Sequence, residues 1–143
     1  MKTRFADLLK VKKQKLDEVE RQLLDVQNRI KRLEHKVAQV DHDIAVLKLP
    51  ESGDFGLIQM SRVGFLSLVS QKESYIEKLA VRQQQVLGLK SLYQEVNIEY
   101  EKIVYLDAEE IKKEMRRLKD EESKELDEIA NILFVNKKEK VDA

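Results

Sequence analysis

The sequence predicts an all-α protein, a long antiparallel two-helix coiled-coil hairpin in which the second helix overhangs the first. Two observations lead to this fold class. Glycine and proline are scarce, at four and one in 143 residues, and only Gly88 lies outside the stretch 50–64. On either side of that stretch, apolar residues recur at spacings of three and four, the repeat of a coiled coil. The scarcity of turn residues also disfavours a β-sandwich or barrel.

The helix breakers divide the chain into two arms, and we expect a single coiled-coil domain over residues 1–143. The absence of glycine and proline from residues 1–49 and 89–143 predicts two long helices with one connection. We expect helix 1 over about 4–48, a connection over about 49–60, helix 2 over about 61–135 and a tail over 136–143.

The first arm carries two series of apolar residues, each spaced by seven, which predict the core of the coiled coil. The first series is Leu9, Leu16, Leu23, Ile30, Val37 and Ile44. The second series is Phe5, Lys12, Val19, Val26, Leu33, Val40 and Leu47, in which only Lys12 is polar. A repeat of this length is typical of a coiled coil, whereas a globular helix shows a wider and shorter apolar stripe.

The second arm repeats less strictly. One series is Leu79, Val86, Tyr93 and Tyr100, and its companion is Arg82, Leu89, Val96 and Ile103. After Ile103 this frame meets Asp107 and Glu110, so we expect it to end there. A new frame, shifted by one residue, continues through Ala108, Ile111, Met115 and Leu118. Such a shift predicts a change in the apolar face of the helix.

The lengths of the two arms predict an overhang. A short connection makes the arms antiparallel, and if Leu47 lies beside Ser61, then Phe5 lies beside Ile103. Helix 2 then continues alone for about 30 residues. Residues 107–128 hold ten acids and six bases, many of them three or four residues apart, which supports a solvated helix. The stripe of Ile111, Met115 and Leu118 lacks an intramolecular partner, so we expect it to meet another protein or a second copy.

Composition removes several classes of function. The chain has no cysteine, which excludes disulfides, a thiolate nucleophile and thiolate metal sites. Its 27 basic and 27 acidic residues balance, which argues against a dedicated nucleic-acid binder. No apolar run approaches the roughly 20 residues of a membrane span, and the N-terminus lacks the apolar core of a signal peptide. We therefore expect a cytoplasmic protein without direct membrane insertion.

Candidate catalytic and metal-binding residues are few. The two histidines, His35 and His42, stand seven apart at the position farthest from the partner helix. Two solvated histidines are the favoured interpretation over a metal site, because no third ligand is evident. The acids are spread along a rod rather than gathered for acid–base work, and neither a phosphate loop nor a nucleophile motif occurs. We expect a non-enzyme with no cofactor, no metal and no catalytic residue.

Two local features admit a structural or a binding interpretation. Residues 1–15 hold six bases and one acid, an arrangement that opposes the helix macrodipole. They are either a solvated helix start or a surface for an acidic partner. The connection and the start of helix 2 are unusually apolar for a turn, and either cap the end of the rod or dock a partner. These residues are Phe55, Leu57, Ile58, Met60, Phe65, Leu66, Leu68 and Val69.

Three stretches carry a resemblance to a known family. They are residues 5–12 (FADLLKVK), the segment from Gly64-Phe65-Leu66 to residues 75–79 (YIEKL), and residues 124–130 (KELDEIA). The last is similar to an Asp-Glu-x-Ala signature. Together the chain resembles the FliJ-like stalk proteins of flagellar and virulence type III protein export, over nearly its whole length.

The resemblance implies a stalk-like, non-enzymatic export component that links a hexameric export ATPase to a membrane-embedded export gate. Some members of the family also escort export chaperones. It implies that the basic N-terminus and the overhang contact the ATPase ring. It also implies that the start of helix 2 contacts the export gate. The ring residues would be Lys10, Lys13, Ile111, Met115, Arg116, Arg117 and Leu118, and the gate residues Phe65 and Val69. Lys72 departs from the apolar or small residue expected further along the gate strip.

Two other classes of function remain open from the residues alone. One is a generic dimerising coiled-coil scaffold unrelated to an ATPase. The other is an RNA-binding helical arm that uses Lys10, Lys13, Arg29 and Arg32. The balanced charge and the lack of aromatic stacking positions disfavour the RNA interpretation.

Overall fold

The computed structural model describes residues 2–47 and 53–142, and these form two helices. Helix α1 spans Ala6–Val46, with 41 residues, and helix α2 spans Phe55–Asp142, with 88 residues. No strand occurs in the two described ranges. The predicted all-α fold with two long helices is confirmed. Helix α2 differs from expectation at both ends, because it begins at Phe55 rather than near Ser61 and includes most of the predicted tail. The predicted turn residue Pro50 lies outside the described residues.

Thr3 sets the start of α1 through both its backbone and its side chain. Its carbonyl accepts a hydrogen bond from the amide of Ala6 at 3.2 Å, and its hydroxyl oxygen accepts one from the amide of Phe5 at 3.2 Å. Threonine is a preferred residue at this position because its hydroxyl satisfies an amide that the helix leaves unpaired.

Gly53 and Asp54 precede α2 for separate reasons. Gly53 has φ +153°, a value that residues with a Cβ rarely adopt. The carbonyl of Asp54 then accepts hydrogen bonds from the amides of Leu57 at 3.0 Å and Ile58 at 3.2 Å, which starts the helix. A carboxylate here also lies favourably at the positive end of the helix dipole.

Contacts within the chain define two units. The unit Gln14–Asn97 is an antiparallel pair of helix segments. Lys72 Nζ lies 2.6 Å from Asp41 Oδ1, and the Lys36 ammonium lies 5.6 Å from the centre of the Tyr75 ring. The buried apolar residues of this unit are Leu16, Val19, Val26, Val40 and Val96. All five occupy the predicted core series, so the repeat identifies the packed face correctly.

The remaining members of the predicted core in this unit are partly covered. They are Leu23, Ile30, Val37, Ile44, Leu79, Val86 and Tyr93. The covered face of α2 also begins nearer its N-terminus than Leu79, the first residue of the predicted series. Phe65 and Leu68 continue the spacing of three and four in that direction and are partly covered. Partial exposure of most core positions follows from the architecture, because two helices alone cannot enclose every side chain between them.

The other unit comprises Met1–Lys13 and Ile98–Ala143, and it is antiparallel as well. Lys12 faces Glu99, and further along Arg4 Nη2 lies 3.6 Å from Glu110 Oε2. The Thr3 hydroxyl donates to a carboxylate oxygen of Asp107. Leu9, the tenth residue of the predicted core, is partly covered here. Every residue from Met115 to Lys140 is exposed, so the end of α2 extends past α1 as predicted.

Two expectations about this unit were wrong. Thr3 faces Asp107, whereas the expected register, with Phe5 beside Ile103, placed Thr3 beside Tyr105, so the helices are displaced by about two residues, or about 3 Å along the axis. The core frame also does not end at Ile103. It continues through Asp107, Glu110 and Glu114, all partly covered, whereas Ala108 of the expected new frame is exposed. The physical reason is that Thr3 and Arg4, just before α1, supply a hydroxyl to Asp107 and a guanidinium to Glu110.

Candidate partner-binding surfaces

The overhang of α2 carries an apolar groove with a basic rim. Its apolar side chains are Met115, which is 59% exposed, and Leu118, which is 40% exposed. Lys112, Arg116 and Lys119 surround them, with Glu122 at one end. Ile111 lies just before this groove and is only partly exposed. An exposed apolar floor between cations is suited to a partner surface that combines apolar and acidic groups.

Arg117 has a different role from its neighbour Arg116. Its Nε lies 3.1 Å from Glu114 Oε1, and its Nη1 lies 2.6 Å from Glu121 Oε1. The hydrogen bond and charge of Arg117 lower the pKa of Glu114, and the same contacts raise the pKa of Arg117. Arg117 therefore joins two acids along one face of the helix and stabilises the overhang locally.

The basic N-terminal segment is largely engaged within its own unit. Lys2 pairs with Asp7 at 3.6 Å, and Lys12 with Glu99 at 2.9 Å. The Lys13 ammonium lies 5.5 Å from the centre of the Tyr100 ring. Lys12 thus lies in the core series because Glu99 receives its charge, so a partner is not needed to explain it. Lys10 is exposed and remains suited to an intermolecular contact.

The start of α2 presents two different faces. Phe65 and Val69, the predicted gate residues, are partly covered, and Phe65 belongs to the packed series. The most exposed apolar side chains are instead Phe55 at 72% and Met60 at 75%, with Val63 and Leu66 also exposed. Lys72, which departs from the family strip, is explained by its ion pair with Asp41.

Sequence reasoning missed a second groove, on the outward face of α2 within the unit that holds the overhang. It is lined by Ile98, Glu101, Lys102, Tyr105 and Leu106. The side chains of Ile98 and Tyr105 are largely exposed. The sequence did contain a signal for this groove. Ile98 and Tyr105 are apolar residues outside the core repeat, and their spacing of seven places them on one face of the helix.

The remaining candidates lie apart from these surfaces. His35 and His42 are exposed on α1. Within residues 2–47 and 53–142, no group of three histidine, cysteine or acidic residues could hold a metal ion. In the same ranges, neither helix contains a segment apolar enough for a membrane span.

The described residues define an all-α protein of the two-helix coiled-coil class, with exposed apolar side chains along α2. A family model described as "Flagellar FliJ protein" matches residues 1–139, and the chain belongs to the FliJ family. Membership relates the protein to flagellar export. Neither a curated protein nor a solved structure shows significant similarity to the chain.

Proposed function

We propose that this protein is a non-enzymatic, stalk-like component of the flagellar type III export apparatus. In this role it links a hexameric export ATPase ring to the cytoplasmic side of the export gate. It works in the cytoplasm, at the periphery of the inner-membrane export apparatus, and also meets export chaperones. The family match supports the export setting, and the exposed helix surfaces support a role in binding proteins.

The observation that carries the proposal is the uncovered groove of the overhang. From Met115 to Lys140 every side chain of α2 is exposed, and Met115 and Leu118 lie on that surface. A single helix is narrow, at roughly 10–12 Å with its side chains, so it fits a channel that would exclude a helix pair. We assign Ile111, Met115 and Leu118 to apolar contacts with the ring, and Arg116 to an acidic group there.

The N-terminal segment contributes to the same end of the molecule. Lys10 is exposed, and the basic residues near it would attract acidic groups on the ring. Lys13 keeps its contact with Tyr100 and adds long-range charge. Arg117 supports the helix through Glu114 and Glu121 rather than by direct contact.

The effect on the ATPase follows from linkage. A stalk that binds the assembled ring, but not its separate subunits, shifts the equilibrium towards the ring. Because hydrolysis by a hexamer requires assembled subunit interfaces, ATP turnover rises without any catalytic group from the stalk. We assign the apolar start of α2, in the unit Gln14–Asn97, to the gate; there Phe65 and Val69 are partly covered, and Met60 and Leu66 are exposed.

The experiment combines capture by the export ATPase with ATP turnover. Replacing both Met115 and Leu118 with Asp should abolish capture and the stimulation of turnover. The matched control replaces Phe134 and Val135 with Asp, since these exposed apolar residues lie outside the groove. The proposal predicts normal stimulation by the control. Normal stimulation by the Met115/Leu118 variant would refute the ring contact.

A further inference from the structure

The last third of the overhang shows a self-complementary charge pattern on one face. At roughly 100° per residue, Glu122, Glu125, Leu126, Ile129, Leu133, Lys137 and Lys140 share one side of α2. Along this side the acids come first, the apolar residues lie in the middle and the lysines come last. All seven side chains are exposed.

The charges on this face have no ion-pair partner among the other described residues. Across the described residues 2–47 and 53–142, no ion pair involves Glu122, Glu125, Lys137 or Lys140. By contrast, the neighbouring Glu121 pairs with Arg117. The face also lies clear of α1, whose first residues reach only Asp107 and Glu110.

We propose that this face binds a second copy of the same chain in an antiparallel two-helix contact. With the twofold axis near Asn131, Glu122 faces the partner's Lys140, and Glu125 lies level with the partner's Lys137 on the opposite edge of the contact. In the middle, Ile129 meets the partner's Leu133. A twofold contact makes every pair twice, so both ends place acids against lysines.

The orientation follows from the order of the charges. In a parallel pair with the same register, Glu122 would face the partner's Glu122, and Lys140 the partner's Lys140, which is repulsive at both ends. The antiparallel pair converts each of these into attraction and keeps the apolar residues together. The contact is about 28 Å long, which indicates a weak and salt-sensitive dimer.

This inference does not rest on the proposed function, because it is argued only from the charges and apolar residues of 122–140. Glu122 lies at the end of the groove as well as in the contact, so the two binding events are measured separately. Failure of either prediction leaves the other intact, since capture by the ATPase and self-association are measured separately.

The test is sedimentation equilibrium of the full chain and its charge-reversed variants. Replacing Glu122 and Glu125 with Lys should weaken dimerisation at least about tenfold, since it makes both Glu122–Lys140 pairs repulsive and leaves the contact with cations at every charged position. Replacing Lys137 and Lys140 with Glu should do the same. Combining all four changes restores complementarity and should restore the dimer.

Matched controls make the same charge changes on the opposite side of the helix. Replacing Asp127 and Glu128 with Lys controls the first variant, and replacing Lys124 and Lys138 with Glu controls the second. Both controls should dimerise like the natural chain. A monomeric natural chain at all accessible concentrations, or a combined variant that stays as weak as its halves, would overturn the proposal. So would equal weakening by the controls.

The orientation is tested independently with spin labels, because the chain has no cysteine of its own. Ala130→Cys and Ser123→Cys place labels on one flank of the contact. In the antiparallel dimer, the two labels are offset along the axis by about 3 Å at position 130 and about 24 Å at position 123. Equal distances at the two positions would indicate a parallel pair and overturn the proposal.

Discussion

Lys12 Nζ lies 2.9 Å from Glu99 Oε2, and this ion pair occupies the one polar position in the core series of α1. The hydrogen bond from Lys12, and then its charge, lower the pKa of Glu99 below its ordinary value of 4.5. The pair marks the register of its unit, because an ammonium in this packed series is accommodated only opposite an acid.

The first prediction concerns the pH dependence of this pair. Because the pKa of Glu99 is lower in the folded chain, its stabilising contribution is complete above the ordinary carboxyl value. It is lost as the pH falls through the lowered pKa. In Lys12→Gln, the NMR titration midpoint of Glu99 should rise, and stability should depend less on pH in the acid range. An unchanged midpoint would contradict the pairing.

The second prediction separates the packed face from the exposed face of α1. Leu16 is 4% exposed, so Leu16→Ala should lower the free energy of unfolding by about 2–5 kcal/mol. Leu23→Ala should cost less, because Leu23 is only partly covered. The control is Leu24→Ala at an exposed site, which should change stability by less than about 0.5 kcal/mol. Urea unfolding measures all three, and equal losses would contradict the helix orientation.

The third prediction distinguishes stability from docking at the start of α2. Phe65→Ala should destabilise the chain, because Phe65 belongs to the packed series. Met60→Ser with Leu66→Ser should leave the melting temperature nearly unchanged, since both side chains are exposed. The double variant should nevertheless weaken binding to the export gate, measured by pull-down. Normal binding by the double variant would remove this face from the gate contact.

The fourth prediction concerns truncation of the overhang. A chain that ends after Ile111 keeps the contacts of Thr3 with Asp107 and of Arg4 with Glu110. Its melting temperature should match that of the full chain, while stimulation of the export ATPase is lost. Truncation after Leu106 should melt slightly earlier, because both contacts are removed. If the chain that ends after Ile111 also melted earlier than the full chain, the overhang would have to contribute to folding of the helix pair.

The fifth prediction concerns the local support of the overhang by Arg117. Arg117→Ala removes the contacts with Glu114 and Glu121, which support the helix at spacings of three and four residues. Amide hydrogen exchange should accelerate in the overhang near residue 117 and remain unchanged in Gln14–Asn97. Arg116→Ala is the control, and it should change exchange less.

Much of the fold could be predicted from the residues alone. The repeat through Leu16, Val19, Val26 and Val40 identified the packed face of α1, because spacings of three and four keep side chains on one side of a helix. The exposure of Met115 and Leu118 was also predictable, since α1 is too short to cover them. Helix composition and length were thus sufficient for the architecture and for the overhang groove.

The register and the roles of individual charges required the tertiary structure. A repeat of similar apolar residues specifies which face is packed, but sliding one helix by a turn preserves that face, so the pairing of Thr3 with Asp107 was not predictable. The same holds for Lys12, the polar exception in the α1 series, whose partner Glu99 lies on α2 outside the apolar series. A periodic pattern is a property of one helix, whereas the complementarity of two charges depends on where the other helix places its partner.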